Sequence, residues 1–121
     1  MRVEPARAAP PLVSLVLMAY RQEATAGEAL AGALAQDWSP LEIVASDDAS
    51  PDGTFAALEA AARGHAGPHA LSLVRQPVNL GIGAHLSDLV ARTRGELVVV
   101  AAGDDVSLPH RVRTTVEAWE R

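Results

Sequence analysis

Four short apolar runs, separated by helix-like segments, constrain the fold more than any other feature of this sequence. Each run is rich in aliphatic and β-branched residues and barely alternates with polar ones. The runs lie at residues 12–18, 41–45, 70–74 and 97–101. Continuous apolar strands of this kind are typical of parallel sheets that are covered on both faces. We therefore predict a mainly parallel sheet with helices on either side.

The segments between the apolar runs have the spacing of amphipathic helices. In the first of them, apolar residues recur at i, i+3, i+4, i+7 and i+8 from Ala26 onward, and Thr25 with Glu28 fits a capping box. The predicted helices cover residues 25–36, 54–63, 84–93 and 109–120. This alternation predicts an α/β fold, a Rossmann-like three-layer α/β/α sandwich with right-handed crossovers.

Composition narrows the classes of function. The chain of 121 residues has a net charge of −5, which argues against a nucleic-acid binder, and it contains no cysteine, which excludes disulfides and thiolate metal sites. A run of about 18 apolar residues, as a membrane span requires, is absent, and we expect a cytoplasmic location. We expect residues 1–11 to form a flexible leader and residues 12–121 to form one domain.

Open α/β sheets bind ligands at the carboxyl ends of their strands, so the residues that follow the apolar runs are the candidate site. The turn after the first run lacks the G-x-G-x-x-G of dinucleotide-binding folds. It contains Tyr20, which either offers a flat face to a base or caps the core. Residues 79–83 form a glycine-rich turn without the lysine of a P-loop, and we expect this turn to be structural and to shape the rim of a pocket.

Two pairs of adjacent aspartates end two of the predicted strands. Asp47 and Asp48 follow the second run. Neighbouring carboxylates resist burial, so we expect both to stay near water and to accept hydrogen bonds from a ligand, unless one merely caps the turn. Asp104 and Asp105 follow the fourth run, and their hard oxygen atoms suit Mg²⁺ or Mn²⁺. Together the pairs predict a site for a phosphate-bearing ligand and its cation.

In order and spacing, these motifs resemble the family 2 glycosyltransferases, which have the GT-A fold. The matching stretches are VSLVLMAYR at 13–21, ALAQDW at 33–38, LEIVASDDASPDGT at 41–54, NLG at 79–81, TRGELVVVAAGDD at 93–105 and LPHRV at 108–112. The chain departs from the family pattern at Met18, Arg21, Ala49, Ala102 and the Leu86-Ser87 pair. The resemblance covers residues 12–121 and implies the nucleotide-sugar-binding half of a GT-A glycosyltransferase domain, without the acceptor half.

The resemblance also implies roles for single residues. Tyr20 matches the tyrosine that packs against the nucleotide base, and Asp48 matches the aspartate that hydrogen-bonds the base. Asp105 matches the ligand of Mn²⁺ or Mg²⁺, and Asp104 matches a residue that contacts the ribose or the metal shell. The implied nucleotide-binding residues are Ala19, Tyr20, Asp47, Asp48 and Asp104.

By this resemblance the activity is a metal-dependent, inverting transfer of a sugar from a nucleoside-diphosphate sugar of the UDP, GDP or dTDP type. The acceptor would be a hydroxyl of a glycan, a lipid or another compound. The general base lies in the acceptor half of such enzymes, so the catalytic residues stay unknown. Histidine is the residue type suited to proton transfer near neutral pH, which makes His85 and His110 the nominal candidates for the base, but we expect both to be solvated surface residues.

Two other functions are compatible with parts of the sequence. The chain could be a non-catalytic, truncated nucleotide-binding or partner-binding module, in which a homo-oligomer hides an uncovered apolar surface of the sheet. A receiver-type signalling domain also gathers acidic residues at strand ends. Such a domain places its acidic pair after the first strand and needs a lysine, and all ten basic residues of this sequence are arginines.

Overall fold

The computed structural model describes residues 9–121 and contains eight elements in strict β-α alternation. They are β1 (Val13–Ala19), α1 (Ala26–Leu34), β2 (Leu41–Asp47), α2 (Thr54–Arg63), β3 (Ala70–Arg75), α3 (Ile82–Ala91), β4 (Leu97–Ala102) and α4 (Arg111–Trp119). Their bounds differ from the predicted ones by at most two residues. No helix within residues 9–121 is both long and apolar enough to cross a membrane.

The predicted leader lies mostly outside the described residues. Pro11, at its end, is buried, and its carbonyl oxygen accepts a hydrogen bond of 3.2 Å from the indole of Trp38. The chain is therefore already attached to the folded body two residues before β1 begins.

The sheet is fully parallel, with the strand order β3-β2-β1-β4. Val13 at the start of β1 pairs with Leu41 of β2 on one side and with Leu97 of β4 on the other, so these three strands begin level. Their carboxyl ends consequently share one edge. The chain moves outward from β1 to β3 and then returns to the other side of β1, which makes the gap between β1 and β4 the topological switch point where such sheets bind ligands.

Helices cover the two faces of the sheet unequally. Alternate residues of β1 point to opposite faces. Leu15 and Leu17 join the main core, which α1, α2 and α4 close, whereas Val16 packs against Leu89 of α3 in a smaller cluster. The predicted three-layer α/β/α sandwich is thus confirmed. Because α3 is the one helix on its face within the described residues, Val100 of β4 stays 43% exposed.

The predicted capping box at the start of α1 is wrong. Thr25 occupies the N-cap position but makes no side-chain cap. Its hydroxyl instead donates a hydrogen bond of 2.7 Å to the carbonyl oxygen of Gly103, just beyond β4. The tertiary bond replaces the local one and ties the start of α1 to the turn that carries Asp104 and Asp105.

Candidate functional site

A cavity of about 690 Å³ opens at the carboxyl edge of the sheet, between the ends of β1 and β4. Its walls come from the turn after β1, the end of β2, the start of α3 and the end of β4. Two of the predicted site residues, Asp47 and Asp104, do not line it. Those that line it are Ala19, Tyr20, Asp48 and Asp105.

Tyr20 forms part of the cavity wall directly after β1. Its side chain is 41% exposed, and the guanidinium of Arg21 lies 5.5 Å from the centre of its ring. Arg21 has a positive φ of 54°, and its backbone N–H donates a hydrogen bond of 2.8 Å to the hydroxyl of Ser50. The sharp turn at Arg21 therefore presents the ring to the cavity and leaves it open enough to receive a planar group.

The adjacent aspartates Asp47 and Asp48 point to different places because successive side chains of a strand alternate between its faces. Asp47 is fully buried, and its Oδ1 accepts hydrogen bonds from the backbone N–H and the hydroxyl of Ser50. Its Oδ2 is enclosed without a hydrogen-bond partner among the described residues. Asp47 is thus kept out of the cavity by its place in the strand.

Asp48 lines the cavity, but its carboxylate also accepts hydrogen bonds from the backbone of a neighbouring turn. The Oδ1 atom accepts a hydrogen bond from the backbone N–H of Leu80 at 2.8 Å, and the Oδ2 atom accepts one from Gly81 at 3.0 Å. The expectation that both aspartates stay near water is wrong, since Asp48 is only 3% exposed. Backbone donors replace water, and each oxygen keeps a second lone pair for a ligand.

The glycine-rich turn at 79–83 serves as the partner of Asp48. The side-chain amide of Asn79 donates a hydrogen bond of 3.0 Å to the carbonyl oxygen of Asp48, and Asn79 and Gly81 both line the cavity. Gly81 has φ 83° and ψ 162°, a conformation that is essentially restricted to glycine. The turn is therefore structural and also shapes the rim, as predicted.

The second acidic pair lies in a tightly anchored turn. Gly103, before the pair, donates its N–H to the carbonyl oxygen of Met18 at 2.8 Å, and a Cβ at this position would collide with Ala19. Asp105 is half exposed and accepts a hydrogen bond of 3.1 Å from Arg111. Asp104 is exposed and makes no hydrogen bond or ion pair to any residue of 9–121.

The donor set at this turn fits a divalent ion that arrives with phosphates. Within residues 9–121, no three His, Cys, Asp or Glu side chains are close enough together to hold an ion by themselves. Mg²⁺ is usually bound by one or two carboxylates plus the phosphates of a substrate, and it keeps several waters. The exposed carboxylates of Asp104 and Asp105 meet that requirement, so the chain could bind such an ion jointly with a ligand.

His85 is among the residues of the cavity wall that sequence reasoning missed. The expectation that it is a solvated surface residue is wrong, because the ring is only 2% exposed and its Nε2 lies 2.7 Å from the hydroxyl of Ser46. His110, by contrast, is exposed as expected. His85 and Leu89 stand one helical turn apart and both face the sheet, and this i, i+4 spacing is the signal that could have identified the buried face.

The pKa of His85 is lowered, chiefly because burial disfavours the charged ring. The carboxylates of Asp48, Asp88 and Asp47 act in the opposite direction. The desolvation effect dominates, so the imidazole is neutral at pH 7 and contributes a polar but uncharged group to the cavity.

Comparison with known proteins identifies relatives of this chain. A family model described as glycosyl transferase family 2 matches residues 14–121. The putative glycosyltransferase EpsE of Bacillus subtilis is 28% identical over 111 residues, which are 92% of this chain and 39% of that protein. The chain therefore spans well under half the length of this curated relative.

Solved structures have the same fold. The mannosyltransferase PcManGT from Pyrobaculum calidifontis, in complex with GDP-Man and Mn²⁺, superposes with a TM-score of 0.79 at 30% identity, over 98% of this chain and 34% of that one. TarS of S. aureus, in complex with UDP-GlcNAc, superposes with a TM-score of 0.76 at 22% identity, over 89% of this chain and 31% of that one. At that identity TarS supports the fold alone.

Proposed function

Because the chain belongs to glycosyl transferase family 2, we propose that it is the donor-binding half of a glycosyltransferase. The ligand would be a nucleoside-diphosphate sugar of the UDP, GDP or dTDP type, and the reaction would be transfer of the sugar to an acceptor hydroxyl. The cavity at the switch point supports this proposal, since its walls combine Tyr20, Asp48 and Asp105. A relative at 30% identity that was solved with GDP-Man and Mn²⁺ also supports it.

In this proposal, each cavity residue contacts a different part of the ligand. Tyr20 stacks on the base, and Asp48 accepts a hydrogen bond from a base N–H through a lone pair that the turn at 79–81 leaves free. Both contacts are remote from the reacting sugar carbon, and their binding energy positions that carbon for attack. The buried position of Asp48 strengthens its selectivity, because a base without a matching donor would leave the carboxylate facing an unfavourable partner.

Asp105 and Asp104 act at the diphosphate end. A divalent ion bound there would act as a Lewis acid that offsets the negative charge growing on the departing diphosphate. Asp105 would contribute a carboxylate oxygen to hold the ion, and Asp104, which lies just outside the cavity wall, would contact the ribose or a water of the metal shell. Arg111 sets the position of the Asp105 carboxylate, because it also donates to the hydroxyl of Ser107 and to the carbonyl oxygen of Val100, each at 2.8 Å.

Calorimetric titration with UDP, GDP and dTDP, each with and without Mn²⁺, tests this function. We expect at least one nucleotide to bind, and Mn²⁺ to raise its affinity. The Asp105→Ala variant should lose this metal effect, by roughly tenfold or more in affinity, because a charged ligand of the ion is removed.

Asp37→Ala is the matched control, since Asp37 is an exposed aspartate that pairs with Arg113 and does not line the cavity. It should keep the full response to Mn²⁺. A folded wild-type chain that binds none of the three nucleotides would contradict the proposal, and so would a metal effect that survives in Asp105→Ala.

A further inference from the structure

His85 stands at the wall of the nucleotide cavity, on the side of α3. It lies in the first half of that helix, and its Nε2 is 2.7 Å from the hydroxyl of Ser46 in β2. Asp48 directly follows β2 and lines the same cavity, and its carboxylate lies close enough to His85 to influence the pKa of the ring. The ring of His85 is therefore a neighbour of the Asp48 carboxylate.

The second nitrogen of the ring, Nδ1, has no hydrogen-bond partner among residues 9–121. Two side-chain atoms of residues 9–121 are fully enclosed and have no hydrogen-bond partner, namely Asp47 Oδ2 and His69 Nδ1. His85 Nδ1 is not one of them, so it is not fully enclosed. The Nδ1 atom therefore keeps some contact with open space, and the cavity is the open space that His85 lines. A polar atom in such a wall needs water or a ligand as its partner.

We propose that His85 is a specificity-determining residue for the nucleobase, with Ser46 fixing its ring and Nδ1–H donating to a carbonyl oxygen of the base. This inference rests on the proposed function, because it assumes that a nucleotide occupies the cavity. Asp48 accepts a hydrogen bond and His85 donates one beside it. The pair thus recognises an N–H group that is flanked by a carbonyl.

This arrangement divides the nucleobases into two classes. Uracil, thymine and guanine carry a ring N–H next to a carbonyl oxygen, which matches an acceptor beside a donor. Adenine has no carbonyl, and cytosine has no ring N–H on its pairing edge. In the pose that places this ring N–H against Asp48, adenine and cytosine instead turn a bare ring nitrogen towards the carboxylate and an amino group towards the N–H of His85. Both hydrogen bonds are then lost in a partly buried wall, which is the basis for rejection.

The experiment compares the affinities of UDP, GDP, ADP and CDP, with Mn²⁺ present, for the wild-type chain and for His85→Ala, His85→Asn and Ser46→Ala. We expect the wild-type chain to prefer UDP or GDP over ADP and CDP. His85→Ala should reduce this preference roughly tenfold, the loss of about one hydrogen bond. His85→Asn should keep most of it, because the amide N–H lies near the position of Nδ1–H. Ser46→Ala should weaken it, since the ring loses its tether.

Two controls separate base recognition from other effects. Inorganic pyrophosphate with Mn²⁺ has no base and should bind equally well to the wild-type chain and to all three variants. His65→Ala removes a histidine that follows α2 at the opposite edge of the sheet, and it should leave the base preference unchanged. Circular dichroism establishes that each variant is folded, and Ser46→Ala carries the test if His85→Ala does not fold.

The outcomes distinguish this inference from the function on which it rests. If the wild-type chain binds nucleotides but His85→Ala and Ser46→Ala keep its base preference within about twofold, the role of His85 is overturned and the proposed function stands. Equal weakening of pyrophosphate and nucleotides would also overturn that role, because His85 would then merely support the cavity. A wild-type chain that binds no nucleotide overturns both.

Discussion

At the scale of single residues, hydrogen-bond donors decide what each carboxylate or imidazole of the site can do. Asp47 receives its donors from Ser50 and is sealed in the core, whereas Asp48 receives backbone donors from the turn at 79–81 and still lines the cavity. His85 is held by Ser46 and desolvated by its burial. Chemically identical neighbours thus acquire different functions from the groups that contact them.

The buried imidazole of His85 should make stability depend on pH. Its pKa lies below the ordinary value of 6.5 because of burial, despite the nearby Asp48, Asp88 and Asp47. The unfolded chain therefore binds a proton more readily than the folded chain, and the free energy of unfolding must decrease as the pH falls below about 6.5. Above that pH both states are neutral and the effect vanishes. We expect the urea midpoint to fall between about pH 7.5 and pH 5.5.

The comparison with His85→Asn isolates this effect, because asparagine does not titrate. The variant should show a smaller slope in the same interval. Asp52 and Asp88 also have lowered pKa values, caused chiefly by hydrogen bonds from Thr54 and Arg92, but their stabilisation is lost only as the pH falls below about 3.8. If the urea midpoint changed equally with pH in the wild-type chain and in His85→Asn, the pH dependence could not be assigned to His85.

At the scale of elements, the start of α3 determines how two residues of the site, Asp48 and His85, are placed. Its N-cap residue, Gly81, combines a positive φ with an extended ψ and donates its N–H to Asp48. The same helix carries His85 one turn later. The orientation of α3 relative to β2 therefore determines both the partner of Asp48 and the position of the imidazole.

Replacing Gly81 by alanine tests whether its backbone conformation holds the start of α3 in place. A Cβ there would meet no atom within 4 Å, so any cost must come from the backbone conformation alone. We expect Gly81→Ala to lower the free energy of unfolding by about 1–3 kcal/mol. Gly83→Ala is the matched control, since Gly83 also has open space around it but lies within the helix.

Gly83→Ala should have the opposite sign and stabilise the chain by about 0.5–1 kcal/mol, because alanine favours the helix over glycine. Urea denaturation of both variants and of the wild-type chain provides the measurement. If both variants changed the free energy of unfolding in the same direction, the conformation of Gly81 would not constrain the turn.

At the scale of the whole molecule, the buried side chain of Gln36 joins α1 to the segment that follows Asp104 and Asp105. The amide of Gln36, after α1, donates hydrogen bonds to the carbonyl oxygens of Leu108 and Gly32 at 2.7 and 3.1 Å, and its oxygen accepts one from the N–H of Val112 at 2.9 Å. These bonds attach both the β4–α4 connection and the start of α4 to α1. The helix that they hold also carries Arg111, the partner of Asp105.

Removing this amide should loosen α4. Gln36→Ala leaves the buried N–H of Val112 without its hydrogen-bond partner, whereas the carbonyl oxygen of Leu108 keeps the N–H of Arg111 at 3.1 Å. We therefore expect a loss of about 1–3 kcal/mol in the free energy of unfolding. Arg113→Ala is the control on the same helix, because Arg113 is about half exposed and makes surface ion pairs. It should change stability by no more than about 0.5 kcal/mol. Comparable losses in the two variants would contradict this role of Gln36.

The pattern along the chain was sufficient to determine the order of the elements, the parallel sheet and the edge at which the site lies. Those features depend on the spacing of apolar residues among near neighbours, which is visible in one dimension. Only the tertiary structure decided that Asp48 and not Asp47 reaches the cavity, and that His85 is buried beside it. Each of these outcomes depends on a partner distant in sequence, such as Leu80 for Asp48 at 32 residues and Ser46 for His85 at 39 residues. Burial and hydrogen bonding across such distances exist only once the helices are packed on the sheet.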